Sequence, residues 1–185
     1  MFHIKSDKRS QTSAKLIVDG LHTCLKSKSF SDITITDIQK VSSVGRATFY
    51  RLFDNLADVL AYECDSIFQQ IVFDGKKLSI TSKHAALVFF FSIWAEHYEL
   101  LHIILSSNHL EILYKTFRNY ALEIGSIMNP DITVSEAELD YYVSGISFLL
   151  LGILEQWIRN NKTQTPEELS VIFENTIKTL YLSLK

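Results

Sequence analysis

The sequence predicts an all-α protein: an N-terminal three-helix, helix-turn-helix head followed by a C-terminal helical body. Three observations predict it. Only two prolines and six glycines punctuate 185 residues, and the apolar positions recur at three- and four-residue spacing rather than alternating. The stretch Thr34 to Phe53, TITDIQKVSSVGRATFYRLF, reads as two short helices around a tight turn. The C-terminal third carries two long apolar segments, each behind a helix-start signal. The head is expected over residues 6–67 and the body over 68–185.

The first helix is expected from about Ser6 to Lys28, with Ala14, Leu16, Ile17, Leu21, Cys24 and Leu25 facing inward. Phe30 and Ile33 anchor the connection that follows. Thr34 lies three residues before Asp37, so its hydroxyl can accept from orphan amides while the acid favours the positive helix end. Ile35, Ile38 and Val41 give this helix its inner face. Ser42-Ser43-Val44-Gly45 then interrupts it, leaving Val44 as an apolar plug. In the next helix, Arg46 to Phe53, residues Phe49, Leu52 and Phe53 share one side. Arg46, Ala47, Thr48 and Arg51 are free to face outward. The small Gly45 and Ala47 let backbone approach a groove, and Arg46 and Thr48 can reach base edges or phosphates.

Asp54 or Asn55 is placed to cap a fourth helix carrying Leu56, Val59, Leu60, Cys64, Ile67, Phe68 and Ile71, which Phe73 to Lys77 is expected to break. A helical region runs from Thr81 or Ser82 to about Leu105, bent near His97. Ser106-Ser107-Asn108 starts another, His109 to about Met128, which Asn129-Pro130-Asp131 should end. Ser135 with Glu138 has the spacing of a capping box opening a long helix, Glu136 to about Asn160. Thr165-Pro166-Glu167-Glu168 supplies cap, first-position proline and acids for the last helix.

At residues Thr34, Asp37, Ile38, Val44, Thr48, Phe49, Tyr50 and Phe53, in order and without gaps, the chain resembles the TetR/AcrR family of transcriptional regulators. The resemblance is sharp over roughly residues 10–60. It implies that Thr48 and Tyr50 contact the DNA backbone with Arg46 and Ala47 near the bases. Thr34, Val44, Gly45, Arg46, Ala47, Thr48, Tyr50 and Arg51 are therefore the expected DNA-binding set. The sequence departs from the family at three points: Gln39 stands where alanine is frequent, Ser43 where glycine is, and Leu56 where a phosphate-holding lysine is. No DNA contact is carried over to Leu56. From Tyr142 to Trp157, with the Thr-Pro-Glu-Glu start, the chain also looks like the C-terminal region of a Firmicutes-type TetR subgroup.

Between Tyr141 and Trp157 apolar residues occupy nearly every face, so this helix is covered on both sides, either as the buried central helix of a monomer or by something beyond the chain's own core. A partner subunit is the simplest cover, and family members pair through their last two helices. Phe148, Leu149, Gly152, Ile153, Phe173, Ile177 and Leu180 are the expected homodimer interface, with Gly145 and Gly152 permitting close approach. The family's body also implies a pocket for a small-molecule effector. Phe90, Trp94, Tyr98, Phe117 and Tyr120 are the aromatic candidates for its wall, set against the alternative of ordinary core packing.

Residues 1–53 carry nine Lys/Arg against four acids, a net of +5, and the remainder nets −8, for −3 overall. A basic head on an acidic body suits attraction to phosphate at one end. No cofactor or metal motif is read: His97 and His102 are five residues apart, His109 lies beyond a turn, and neither Cys24 nor Cys64 stands beside them. Phosphate-cradling loops, nucleophile elbows and HExxH are absent, so an enzyme is not expected. The N-terminus lacks a secretory apolar centre, and no uninterrupted apolar run of spanning length occurs. The expectation is a cytoplasmic regulator, a repressor whose homodimer binds a palindromic double-stranded DNA operator and answers to a small molecule, without membrane attachment. The alternative is a TetR-fold interaction protein, or an activator dependent on a coactivator, with weak or lost DNA binding of its own.

Overall fold

The computed structural model describes residues 1–78, 80, 82–128 and 134–183. Among them the only regular elements are helical: α1 (Lys8–Leu25), α2 (Ile35–Ser42), α3 (Arg46–Leu52), α4 (Leu56–Lys77), α5 (Lys83–Glu96), α6 (Tyr98–Ser106), α7 (Leu110–Met128), α8 (Glu136–Arg159) and α9 (Pro166–Ser183). A single 3-10 turn, Phe30–Asp32, joins α1 to α2.

The head follows from its caps and its buried stripes. Asp7 accepts from the Ser10 amide at 2.9 Å to start α1. Thr34 and Asp37 form a reciprocal capping box on α2: the Thr34 hydroxyl accepts from the Asp37 amide at 3.2 Å, and the Asp37 carboxylate accepts from the Thr34 amide at 2.9 Å. That carboxylate is also bound by the Thr34 hydroxyl and by Lys28 at 2.9 Å. These partners, Thr34 first, hold its pKa far below the usual carboxylate range. Ile17, Leu21, Ile38, Val44, Phe49, Leu52 and Phe53 close the core between the three helices, with Val44 as the plug in the turn. Two residues assigned inward by periodicity point elsewhere: Leu16 and Val41 are 43% and 47% exposed. A Cβ at Gly20 would meet the Ser42 Cβ at 3.0 Å and the Val41 Cγ2 at 3.3 Å, so the glycine lets α2 pack closely on α1, with one methyl of Val41 against α1 and the rest of its side chain at the rim.

Ser43 ends α2 in the left-handed region, at φ 56° and ψ 19°. A Cβ is disfavoured there by about 1–2 kcal/mol, and glycine is the residue free of that cost. Ser43→Gly is therefore expected to stabilise the protein by about 1 kcal/mol, read as a rise in the urea midpoint at unchanged slope. A fall in the midpoint would count against this reading of the turn.

An antiparallel bridge between Phe2 and Phe53 fastens the N-terminal segment to the end of α3, with the His3 amide donating to the Leu52 carbonyl at 2.8 Å. Phe2 also packs edge-on against Tyr62 of α4. Asn55, rather than Asp54, caps α4 and shares a capping box with Asp58. His22 of α1 meets Glu63 of α4 at 2.8 Å, tying α1 to α4, and that hydrogen bond raises the imidazole pKa.

The expected break at Phe73 to Lys77 does not occur: α4 continues to Lys77. Gly75 is a contact point rather than a breaker, since a Cβ there would meet Ile127 of α7 at 2.9 Å. The helix instead stays long because α7 packs along it. Phe68 of α4 lies against Phe117 at 4.7 Å and stacks on Tyr120, whose hydroxyl donates to Asp65 at 3.0 Å. Cys24 and Cys64 are both buried free thiols, and burial pushes the Cys64 thiol up to about 12.

The bend near His97 is real and sharp: α5 and α6 meet at 75°. Lys162, from the α8–α9 turn, donates to the exposed Ala95 carbonyl at 3.3 Å and lies over the Tyr98 ring. The expected stop at Asn129-Pro130-Asp131 lies outside the described residues. Ser135 stands at the start of α8 with its hydroxyl donating to the Glu138 carboxylate, a bond between side chains; neither backbone half of the expected capping box forms. Thr165 and Glu168 make both halves at the start of α9. α5 lies against α9 and α8 against α7, completing the body. By length and composition α8 is the one straight helix among those described that could cross a membrane. It opens with Glu136 and Glu138 and packs its stripe of Val143, Ser147, Leu150, Leu151, Leu154 and Trp157 within the chain.

Candidate functional site

The outer face of α3 is the first candidate. Arg46, Ala47, Tyr50 and Arg51 are exposed, Thr48 is half-buried, and Phe49 and Leu52 fix the helix from behind. Arg46 and Tyr50, one turn apart, are joined: the Arg46 guanidinium lies 5.4 Å from the Tyr50 ring centre and donates to its hydroxyl at 3.3 Å. The pair presents a cation and a phenol already oriented together. Gly45 caps α3 at φ −66° and ψ 153°, a conformation open to any residue, and a Cβ there would meet nothing within 4 Å. Neither backbone nor packing among the described residues demands glycine at that point. Thr34 is exposed but engaged in the α2 cap, and Val44 is buried. Leu56 packs partly buried on the core at the first turn of α4.

Beside α3 the N-terminal segment builds a shallow groove of about 270 Å³. Lys5, Arg9 and Arg51 line it, together with His3 and Asp7. The Phe2–Phe53 bridge brings Lys5 and Arg9 alongside Arg51. No periodic signal in the sequence marks that pairing.

In the body a cavity of about 430 Å³ opens between α5, α7, α8 and α9. Leu87, Phe117, Ile124, Ile146, Leu150 and Phe173 form most of its wall, and Lys83, Tyr142, Ser147 and Glu174 bring the polar groups. Of the five aromatic residues assigned to a pocket, Phe117 lines this cavity. Phe90 and Trp94 are buried in the core against Phe91, Phe117 and Phe68. Tyr98 packs against Trp157, and Tyr120 against Phe68. Trp94 keeps its indole N–H without an acceptor among the described residues. Aromatic character marked these residues, whereas the cavity arises where four helices distant in sequence fail to meet.

The outward faces of α8 and α9 form a third feature. Phe148, Ile177 and Leu180 are 55%, 42% and 53% exposed; Leu149 and Ile153 are half-buried, and Gly152 is exposed. Phe173 differs from the others of that set, being buried within its own chain on the cavity wall. A Cβ at Gly145 or Gly152 would meet nothing within 4 Å, so this strip lies open.

The histidines are dispersed. His97 marks the α5–α6 bend, His102 faces Tyr98 at 6.0 Å, and His109 bonds Ser107 at 3.0 Å with its ring edge-on to Phe30. Among the described residues no three His, Cys, Asp or Glu side chains lie close enough to hold one metal ion.

A helix-turn-helix head with an open, basic third helix, carried on a helical body, is the build of a transcriptional regulator. Residues 83–179 match the TetR-type transcriptional regulator C-terminal region, and the chain belongs to the TetR family. Among solved structures the fold is similar to that of Lin0861 from Listeria innocua, with a TM-score of 0.80, 17% identity and 96% of each chain covered. It is also similar to the dihydroxyacetone kinase operon activator DhaS, with a TM-score of 0.61, 16% identity, and 91% of this chain and 95% of that one covered. No curated protein matches the sequence.

Proposed function

We propose that the protein is a cytoplasmic homodimeric repressor that binds a palindromic operator in double-stranded DNA and releases it when a small molecule enters the body. Residues 6–67 read the DNA, and residues 68–185 sense the ligand and pair the subunits. The observation that carries the reading is the outer face of α3, where Arg46 and Tyr50 are held together on a surface that Gly45 and Ala47 keep low. α3 enters the major groove with Arg46 and Ala47 toward the bases, while Thr48, Tyr50 and Arg51 reach phosphates. Lys5 and Arg9 extend the phosphate contact beside Arg51.

The homodimer forms through the open strip of α8 and α9, and sets the two α3 helices in successive grooves about 34–36 Å apart. The cavity supports ligand response because one wall residue serves two roles. Phe117 lines the cavity and packs edge-on against Phe68 of α4, the helix that begins at the head. A ligand that prefers a displaced Phe117 would favour another α4 position, and so another spacing of the heads. Repression is the sign the family resemblance favours; activation is the runner-up, and a structural neighbour is described as an operon activator.

Binding-site selection from genomic DNA with the purified chain tests the reading. Enrichment of a palindromic site, with affinity falling linearly on a log–log salt plot, is the expected result. No enrichment at low salt would overturn it in favour of a TetR-fold interaction protein.

A further inference from the structure

We propose that the cavity between α5, α7, α8 and α9 takes an amphiphilic anion, with an apolar body inside and a single carboxylate-like head held by Lys83 and the Tyr142 hydroxyl. The proposal rests on the ligand-responsive reading above and assigns the chemistry of that ligand.

A volume of about 430 Å³ suits a small organic molecule, and a wall of leucine, isoleucine and phenylalanine favours an apolar one. The polar groups on the wall decide the rest, because each is either engaged or waiting. Ser147 donates its hydroxyl to the Val143 carbonyl at 2.6 Å, closing a local bond within α8. Glu174, the one carboxylate among the described wall residues, meets His84 at 3.1 Å through one of its oxygens. Lys83 and Tyr142 have none among the described residues. An ammonium is a donor only, and a phenol at neutral pH donates readily. Burial raises the Tyr142 pKa, which keeps that proton in place. The wall thus presents two unmatched donors, one of them charged, and a carboxylate that already shares one of its oxygens with His84. The complement is a head that accepts hydrogen bonds and carries negative charge. A cationic head would meet Lys83 as a like charge and would have to compete with His84 for Glu174.

The test titrates the full-length chain by calorimetry with decanoate, decanol and decyltrimethylammonium, all below their aggregation concentrations. Decanoate is expected to bind, decanol about tenfold more weakly, and the cation more weakly still. Lys83→Gln should weaken decanoate about tenfold and leave decanol unchanged, and Tyr142→Phe should act in the same direction with a smaller loss. A Cβ at Gly125 meets nothing within 4 Å, so Gly125→Leu should fold, place its side chain at the wall and weaken both. Equal or tighter binding of decanol or the cation would overturn the anionic head, as would decanoate binding that ignores Lys83→Gln. Binding of none of the three would overturn the proposal as a whole. The ligand-responsive reading fails separately: decanoate would bind with the expected Lys83 dependence, while operator affinity stayed constant with and without it.

Discussion

Arg46→Ala and Tyr50→Ala are each expected to lower operator affinity about tenfold or more, with helicity and association state unchanged. Both side chains lie outside the head core, so their removal leaves Phe49, Leu52 and Phe53 in place. The loss is expected to be non-additive. Arg46 donates to the Tyr50 hydroxyl and lies over its ring, so removing either one also releases the other from its orientation. The double variant should therefore lose less than the product of the two single losses. Salt separates the roles. If Tyr50 reaches a phosphate through a bond that Arg46 orients, the single variants should differ in sequence preference more than in salt slope. An Arg46 that itself neutralised a phosphate would lower the slope by about one. Unchanged affinity in both variants, measured by fluorescence anisotropy on a selected site, would remove α3 as the reading helix.

The head was legible because its signals are local. Thr34 with Asp37, Val44 in the turn, and the Phe49–Leu52–Phe53 stripe each act within a few residues of sequence, and each stands where spacing placed it. The errors arose where a distant element decides the outcome. Val41 and Leu16 fit an inward period, yet both lie at the rim, Val41 beside the close contact of α2 with Gly20 of α1. Gly75 has the form of a breaker in isolation, but α7 crosses it so closely that the missing side chain is what lets α4 continue. Ser43 was a departure from the family pattern; its positive φ gives that departure a physical cost. The cavity was the least legible feature. Its wall takes residues from positions 83 to 177, and a large aromatic residue such as Phe90 or Trp94 has the same sequence signature whether it lines a void or fills one.

If the chain pairs as proposed, Phe148→Glu and Leu180→Glu are expected to convert the dimer to a folded monomer, read as a halved mass by light scattering with unchanged circular dichroism. Both residues are more than half exposed in the single chain, so a carboxylate there stays hydrated in the monomer. In a twofold pair the same carboxylate is introduced twice and desolvated at the centre of the contact. The effective cost is on the order of several kcal/mol for each ion, and the weakening of association at least about a thousandfold. Leu149 and Ile153 are poorer probes, because they are half-buried against the chain's own core and a charge there would also disturb the monomer. Gly152→Leu separates shape from charge. With no other described element of the chain within 4 Å of that Cβ, the monomer should accept leucine, whereas close helix approach across a dimer should not. A dimer that persists in all three variants would place the interface away from α8 and α9. Loss of the dimer should also weaken operator binding, because a lone head keeps its α3 contacts and loses the second half-site.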